Sequence, residues 1–71
     1  MAITSAALQT ELGVASGRDP IVLRHYGVVA TFQEWLVDGG PSTGGRVRLV
    51  RTTAANDAAT QAAAVLTALR A

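Results

Sequence analysis

Hydrophobic residues along the chain fall into three stretches with helical spacing and one short stretch that alternates. In the first stretch, Thr4 is a favourable N-cap, while Ile3 and Leu8 stand where a hydrophobic staple closes the first turn. Gly13 suits the left-handed conformation that ends many helices. These signals predict a short helix over residues 5–12, which needs packing to be stable.

The second stretch contains the only Tyr, Phe and Trp of the chain. Asp19 is a favourable N-cap, Pro20 suits the first helical position, and Gly39 and Gly40 end the run. The pattern predicts a long helix over residues 20–38. On a helical projection its narrow polar strip consists of Arg24, Gly27, Thr31 and Glu34. The apolar arc is wider than a surface helix needs, which predicts a central helix or one that also contacts another chain.

A β-strand is the alternative for the first half of this stretch. Its valine content and Gly27 favour a strand over a helix. The alternation is poor, however, along the residues that such a strand would place on one face: Val22, Arg24, Tyr26, Val28 and Ala30. The sequence leaves open whether residues 20–38 form one helix or include a strand.

A glycine-rich loop over residues 39–45 precedes a stretch with the period-two pattern of a half-exposed strand. Arginines alternate with apolar residues there, which predicts a strand over residues 46–51. A single strand cannot satisfy its own backbone hydrogen bonds. The sequence offers no convincing second strand, so the expected partner is a strand of a neighbouring subunit.

The last stretch is rich in alanine and predicts a helix over residues 54–70. Thr52 or Thr53 is the expected N-cap, and Arg70 suits the negative C-terminal end of the helix dipole. Together these elements predict a mainly α fold. Residues 1–71 are expected to form one small domain of three helices with a long central helix, and one β-strand or short hairpin between the second and third helices.

Composition limits the classes of function. A chain of 71 residues is marginally stable alone, which favours oligomerisation or docking on a partner. It contains no Cys, so disulfides and thiolate metal sites are excluded. The net charge of +1 is too small to indicate nucleic acid or a membrane by long-range electrostatics. No apolar run reaches the roughly 20 residues that span a bilayer, so no membrane contact is expected.

Candidate chemistry is sparse. His25 is the only histidine, and Glu34 and Asp38 have no third ligand of suitable type nearby. The loop GGPSTGG lacks the lysine of phosphate-binding loops and precedes a strand instead of a helix. We therefore expect no catalytic, metal or cofactor site, no small-molecule substrate and no enzymatic activity.

The residues expected to contact other macromolecules are apolar or basic. The predicted interface consists of Tyr26, Phe32, Trp35, Val47, Leu49, Leu66 and Leu69. The basic cluster consists of Arg46, Arg48 and Arg51. These arginines can contact phosphates or acidic partners, or guard the edge of a sheet, so nucleic-acid binding stays open as an alternative.

Two segments resemble a known family, the small head–tail connector (adaptor) proteins of tailed bacteriophages. MAITSAALQTELGV is similar to their opening, which has an early Thr, a short helix and then Leu-Gly-Val or Leu-Gly-Ile. RDPIVLRHYGVVATFQEWL resembles their longer second helix, with Ala30 at a small-residue position and Trp35 and Leu36 near its end. The resemblance covers residues 1–38.

The resemblance implies a non-enzymatic structural subunit of the virion, present in the host cytoplasm during assembly. Such a subunit is a homo-oligomer, with a ring below the portal as the implied form. It joins other virion proteins such as portal or tail components, and it lines the DNA path, where it can contact DNA non-specifically. The alternatives are a small homo-oligomeric interaction or regulatory module and, after it, a nucleic-acid-binding module.

Overall fold

The chain folds as two helices on one side of a three-stranded antiparallel sheet. The computed structural model describes residues 2–17 and 19–71. The elements follow in the order α1 (Ser5–Ser16), β1 (Ile21–Val29), β2 (Phe32–Asp38), a 3-10 turn (Pro41–Thr43), β3 (Val47–Thr53) and α2 (Ala58–Arg70). The strands lie in the order β1-β2-β3. This is an α+β fold, so the predicted mainly α, helical fold class is wrong.

The predicted long helix over residues 20–38 is an antiparallel hairpin of β1 and β2. Ala30 and Thr31 connect the two strands, and Ala30 has a φ of 55°. The pairing shifts register at two places, between Val22 and Arg24 and between His25 and Gly27. Each shift interrupts the alternation of the strand, which explains the helix-like pattern. The alternative prediction of a strand is the correct one for the first half of this stretch.

β3 finds its partner within the chain. All seven of its residues pair with β2 without irregularity, from Val47 opposite Asp38 to Thr53 opposite Phe32. The expectation that the chain offers no second strand for β3 is therefore wrong, because the irregular alternation of the hairpin conceals β2 in the sequence. Pairing with a neighbouring subunit is not needed to satisfy this edge of β3. β3 is the last strand of the sheet, so no strand of the described residues lies along its other edge.

Side-chain caps fix the start of both helices. The Thr4 hydroxyl accepts a hydrogen bond from the Ala7 amide at 3.1 Å. The Asp57 carboxylate accepts one from the Thr60 amide at 2.8 Å. Each cap satisfies an N–H group that has no partner within its helix.

Two predicted helix ends differ from the structure. Gly13 lies inside α1, which ends at Ser16 and is followed by the C-cap Gly17 with a φ of 79°. Thr52 and Thr53 belong to the end of β3, and α2 begins only after Asp57. No helix within the described residues is long and apolar enough to cross a membrane.

The core lies between the sheet and the two helices. α1 packs against α2 and β1, while α2 packs against β3. The buried apolar residues are Leu8, Leu12, Trp35, Val37, Val50, Ala62, Val65, Leu66 and Leu69. Both helices lie on the same side of the sheet, so the described part of the chain leaves the other side uncovered.

Hydrogen bonds link the sheet to α2 inside the core. Trp35 Nε1 donates to the Thr52 hydroxyl at 2.8 Å, and this hydroxyl donates to Gln61 Oε1 at 2.6 Å. Gln61 Nε2 donates to the Asn56 carbonyl at 2.9 Å. A buried polar group without a partner costs about 1–3 kcal/mol. The network therefore fixes the position of α2 on the sheet.

Two glutamine amides each bind two backbone groups of a distant segment. Gln9 of α1 donates to the Pro20 carbonyl at 2.8 Å and accepts from the Val22 amide at 2.7 Å. Gln33 of β2 accepts from the Ile3 amide at 3.1 Å and donates to the Ile3 carbonyl at 2.9 Å. In both cases the side-chain amide donates to a backbone carbonyl and accepts from a backbone N–H, as a neighbouring strand does. They hold α1 against β1 and the N-terminal segment against β2.

Candidate interaction surface

The side of the sheet opposite the helices is defined by the strand register. Directly paired residues of antiparallel strands lie on the same face. The residues of β2 that are not buried, namely Phe32, Glu34, Leu36 and Asp38, therefore identify their partners on β1 and β3. We call this surface the open face. Its apolar members are Ile21, Val29, Phe32, Leu36, Val47 and Leu49, and its polar members are Arg24, Glu34, Asp38, Arg51 and Thr53.

The open face is unusually apolar for a sheet side that contacts water. Five of its six apolar members are exposed, and the sixth, Leu36, is half-buried. Leu49 is 61% exposed and Val47 is 52% exposed. A one-sided antiparallel sheet normally places polar residues outside. Contiguous exposed apolar residues mark sites that contact other molecules.

The charges of the open face balance one another. Arg51 Nε lies 3.0 Å from Glu34 Oε2, and the guanidinium of Arg24 lies over the ring of Tyr26, 5.0 Å from its centroid. The fourth charged group, Asp38, accepts a hydrogen bond from the Gly40 amide at 3.0 Å. Two arginines and two carboxylates leave this face without net charge, so it favours neither a strongly acidic nor a strongly basic partner.

The structure divides the predicted apolar interface into two groups. Tyr26, Phe32, Val47 and Leu49 are exposed on the strands, and Tyr26 lies beside Arg24 of the open face. The other three predicted residues, Trp35, Leu66 and Leu69, are buried in the core between sheet and helices. Only the first group is accessible to a partner of the folded chain.

Three apolar members of the open face do not belong to the predicted interface: Ile21, Val29 and Leu36. Each is the cross-strand partner or same-face neighbour of another member. The alternation from Phe32 to Asp38, with Gln33, Trp35 and Val37 buried, is the signal that identifies them. This alternation can be recognised in the sequence only when the chain is divided into β1 and β2 at the Ala30–Thr31 turn.

The three clustered arginines bind different parts of the fold. Arg46 Nη1 donates to the backbone oxygen of Ala71 at 2.7 Å, and Arg48 Nη1 donates to the Ala68 carbonyl at 3.3 Å. Both guanidinium groups therefore stabilise the C-terminal end of α2, where the helix dipole favours positive charge. Arg51 instead pairs with Glu34 on the open face. The arginines do not form one phosphate-binding patch.

The described residues contain no group of three His, Asp or Glu side chains that could hold a metal ion, and they enclose no pocket. Glu34 and Asp38 lie four residues apart on one strand, about 13 Å at 3.3 Å per residue. That separation is too large for a shared proton or metal ion. The expectation that the chain has no catalytic, metal or cofactor site stays a prediction.

His25 contacts two side chains of β2, Gln33 and Trp35. Its Nε2 lies 3.1 Å from Gln33 Nε2, and its ring stacks on Trp35. The two bonds between Gln33 and Ile3 fix the orientation of the Gln33 amide, so its NH2 group faces His25. These contacts place His25 within the packing of the fold and not at a reactive site.

Comparisons of the chain with protein-family models, with curated proteins and with solved structures gave no match. The open face, its charges and the sheet edges are therefore the observations that bear on function.

Proposed function

We propose that the protein is a non-enzymatic interaction module that self-associates by burying its open face. The supporting observation is the set of exposed apolar side chains on a sheet side that no described element covers. Burial of apolar surface contributes about 25 cal/mol per Å². A chain of 71 residues has a small core of its own, so covering this face with another copy stabilises both the fold and the assembly.

A second copy suits the charge distribution of the open face. The Glu34–Arg51 pair neutralises its centre, and Arg24 and Asp38 balance each other in net charge. Nucleic acid favours surfaces with a clear excess of positive charge. Arg46 and Arg48 contact the end of α2, on the helix side of the sheet, so they add no positive charge to the open face. The nucleic-acid alternative therefore has less support than self-association.

The resemblance to phage head–tail connectors stays a prediction. Its second half compares residues 20–38 with a helix, whereas these residues form two strands and a turn. The proposal rests on the open face alone and does not depend on a particle or a ring.

Native mass measured from about 1 μM to about 1 mM tests the proposal, a range that covers association free energies of about 4–8 kcal/mol. We expect the mass to rise with concentration. Phe32→Lys, on the central strand of the open face, should weaken this association, so that the mass rises only at higher concentrations than for the wild-type chain. Val14→Lys is the matched control, because Val14 is an exposed residue of α1 with 78% exposure and the added charge is the same.

Two results would contradict the proposal. One is a monomeric wild-type chain over the whole concentration range. The other is an equal effect of Phe32→Lys and Val14→Lys on the native mass. Far-ultraviolet circular dichroism of both variants checks that each keeps its secondary structure.

A further inference from the structure

The two edges of the sheet are not equivalent. At the β1 edge, the side-chain amide of Gln9 forms hydrogen bonds with the Pro20 carbonyl and the Val22 N–H, so these backbone groups cannot pair with another strand. The two register shifts further along β1 distort the rest of that edge. Both devices hinder the addition of another strand. The β3 edge has neither, since its pairing with β2 is regular throughout.

Hydrogen bonds at both ends of β3 show which backbone groups face outward. The Gly39 amide donates to the Arg46 carbonyl at 2.8 Å, and the Ala54 amide donates to the Thr31 carbonyl at 2.8 Å. Backbone groups of an antiparallel strand alternate in direction, so even-numbered residues of β3 face β2. The odd-numbered residues therefore direct their N–H and C=O groups to the outer edge, namely Val47, Leu49, Arg51 and Thr53.

Three of these four residues have outward backbone groups without a partner. Within the described residues, no hydrogen bond reaches the outward groups of Val47, Leu49 or Arg51. The Thr53 carbonyl differs because it accepts a hydrogen bond from the Asn56 amide at 3.1 Å. The unpaired part of the edge is thus centred on Leu49.

The arginines of β3 do not oppose another strand at this edge. Charged side chains often guard an edge strand, but the Arg46 and Arg48 guanidinium groups bind carbonyls of α2. The Arg51 guanidinium is neutralised by Glu34. Leu49 and Val47 are among the exposed side chains of the strand.

We propose that β3 pairs antiparallel with β3 of a second copy of the chain, in a register centred on Leu49. In this register Leu49 lies opposite Leu49 of the second copy, and Val47 lies opposite Arg51. The three unpaired residues then form about six intermolecular hydrogen bonds, two for each hydrogen-bonded pair. The inference rests on the proposed self-association and adds a second contact to it, the β3 edge, beside burial of the open face.

Neighbouring registers are less favourable. A register centred on Arg48 places two arginines directly opposite each other, and one centred on Arg51 does the same, which destabilises a strand pair. A register centred on Val50 brings in Thr53, whose carbonyl already has a donor. The register centred on Leu49 avoids both problems. It also joins the two open faces into one six-stranded surface.

Single cysteines test the register, because the natural chain contains none. In the proposed pairing the Cα atoms of residue 49 in the two copies lie about 5.5 Å apart, within the range of a disulfide. Those of residue 47 are separated by about 13 Å along the strand, which a disulfide cannot bridge. We expect Leu49→Cys to form a covalent dimer under mild oxidation at least tenfold faster than Val47→Cys.

The control is well matched, since both positions are exposed on the same strand and the same face. Equal rates for Leu49→Cys and Val47→Cys would overturn the proposed register. A wild-type chain that associates while neither variant crosslinks would overturn edge pairing and leave the proposed function standing. A chain that stays monomeric at all concentrations would overturn both.

Amide hydrogen exchange of the unmodified chain gives a second measurement. The outward amides of Leu49 and Arg51 should exchange at least tenfold more slowly at high than at low protein concentration. Fast exchange of these amides in a sample that is dimeric by native mass would overturn the pairing. Burial of the open face alone leaves these edge amides open to solvent.

Discussion

The imidazole ring of His25 stacks on the indole ring of Trp35, with ring centroids 4.1 Å apart and planes inclined by 18°. The two residues are direct cross-strand partners on β1 and β2. Their stacking therefore stabilises the hairpin on the side that packs against the helices. They differ in burial, because Trp35 is completely buried whereas His25 is half-buried.

This difference predicts unequal effects of truncation. Trp35→Ala should cost about 3–5 kcal/mol, as a buried aromatic residue typically does. A chain of this size has on the order of 4–10 kcal/mol in total, so the variant should be largely unfolded or close to it. His25→Ala should cost about 1 kcal/mol, the value of an aromatic pair beyond its area. Urea denaturation followed by circular dichroism measures both. Equal small costs would contradict a central role for Trp35.

The buried bond between Thr52 and Gln61 predicts a coupled pair of substitutions. Thr52→Val leaves Trp35 Nε1 and Gln61 Oε1 without partners and should cost about 2 kcal/mol. Gln61→Met leaves the Thr52 hydroxyl and the Asn56 carbonyl without their Gln61 partner. The double variant should be about 1 kcal/mol more stable than the sum of the single effects predicts, because the lost bond is counted once. Additive free energies of unfolding would show that the two side chains are independent.

Two glycines predict opposite effects of the same substitution. Gly40 has a φ of 67°, and an added Cβ would lie 2.7 Å from the Asp19 carbonyl oxygen. Gly40→Ala should therefore cost about 2–4 kcal/mol. Gly13 lies inside α1 with open space beside it, so Gly13→Ala should add about 0.5–1 kcal/mol. Thermal unfolding measures both, and effects of the same sign would contradict these backbone assignments.

The cap of α2 predicts a dependence on acid pH. Hydrogen bonds from Thr60, first through its side chain and then through its backbone amide, lower the pKa of Asp57 from its ordinary value of 3.8. The pKa is lower in the folded than in the unfolded chain, so the stabilisation is complete only above about pH 5, one unit above the unfolded value. It disappears as the pH falls through the lower, folded-state value.

Asp57→Asn is the matched variant, since asparagine also caps helices but does not titrate. The wild-type chain should be more stable than this variant at pH 6, by an amount that decreases as the pH falls below about 5. Thermal unfolding of the two proteins across this range checks the prediction. A stability difference that does not change with pH would contradict it.

Local signals in the sequence identify some elements well. Thr4 caps α1, and the alternating stretch after the glycine-rich loop forms β3. Both features depend only on residues close together in the sequence, so the sequence alone is enough to predict them. The start of α2 is less well predicted, because Thr52 and Thr53 resemble caps while Asp57 provides the actual one.

The pattern of apolar residues does not predict the hairpin of β1 and β2, for two physical reasons. The register shifts of β1 break its alternation, and the turn uses Ala30 and Thr31 in place of a glycine or asparagine signal. Apolar residues also occupy both sides of the sheet, which spreads them around a helical projection. The same excess of apolar residues indicated a contact with another chain, and four predicted interface residues lie exposed on the strands.

The contact between Gln9 and β1 also bears on how large an assembly can become. A sheet that can add a strand at both edges can grow into a fibre of stacked chains. Here the amide of one side chain closes one edge at Pro20 and Val22. Growth along the sheet then stops after two copies, because each copy offers a single edge and uses it once. In the proposed pairing, the side chain of Gln9 therefore limits how far the sheet can extend through its edges.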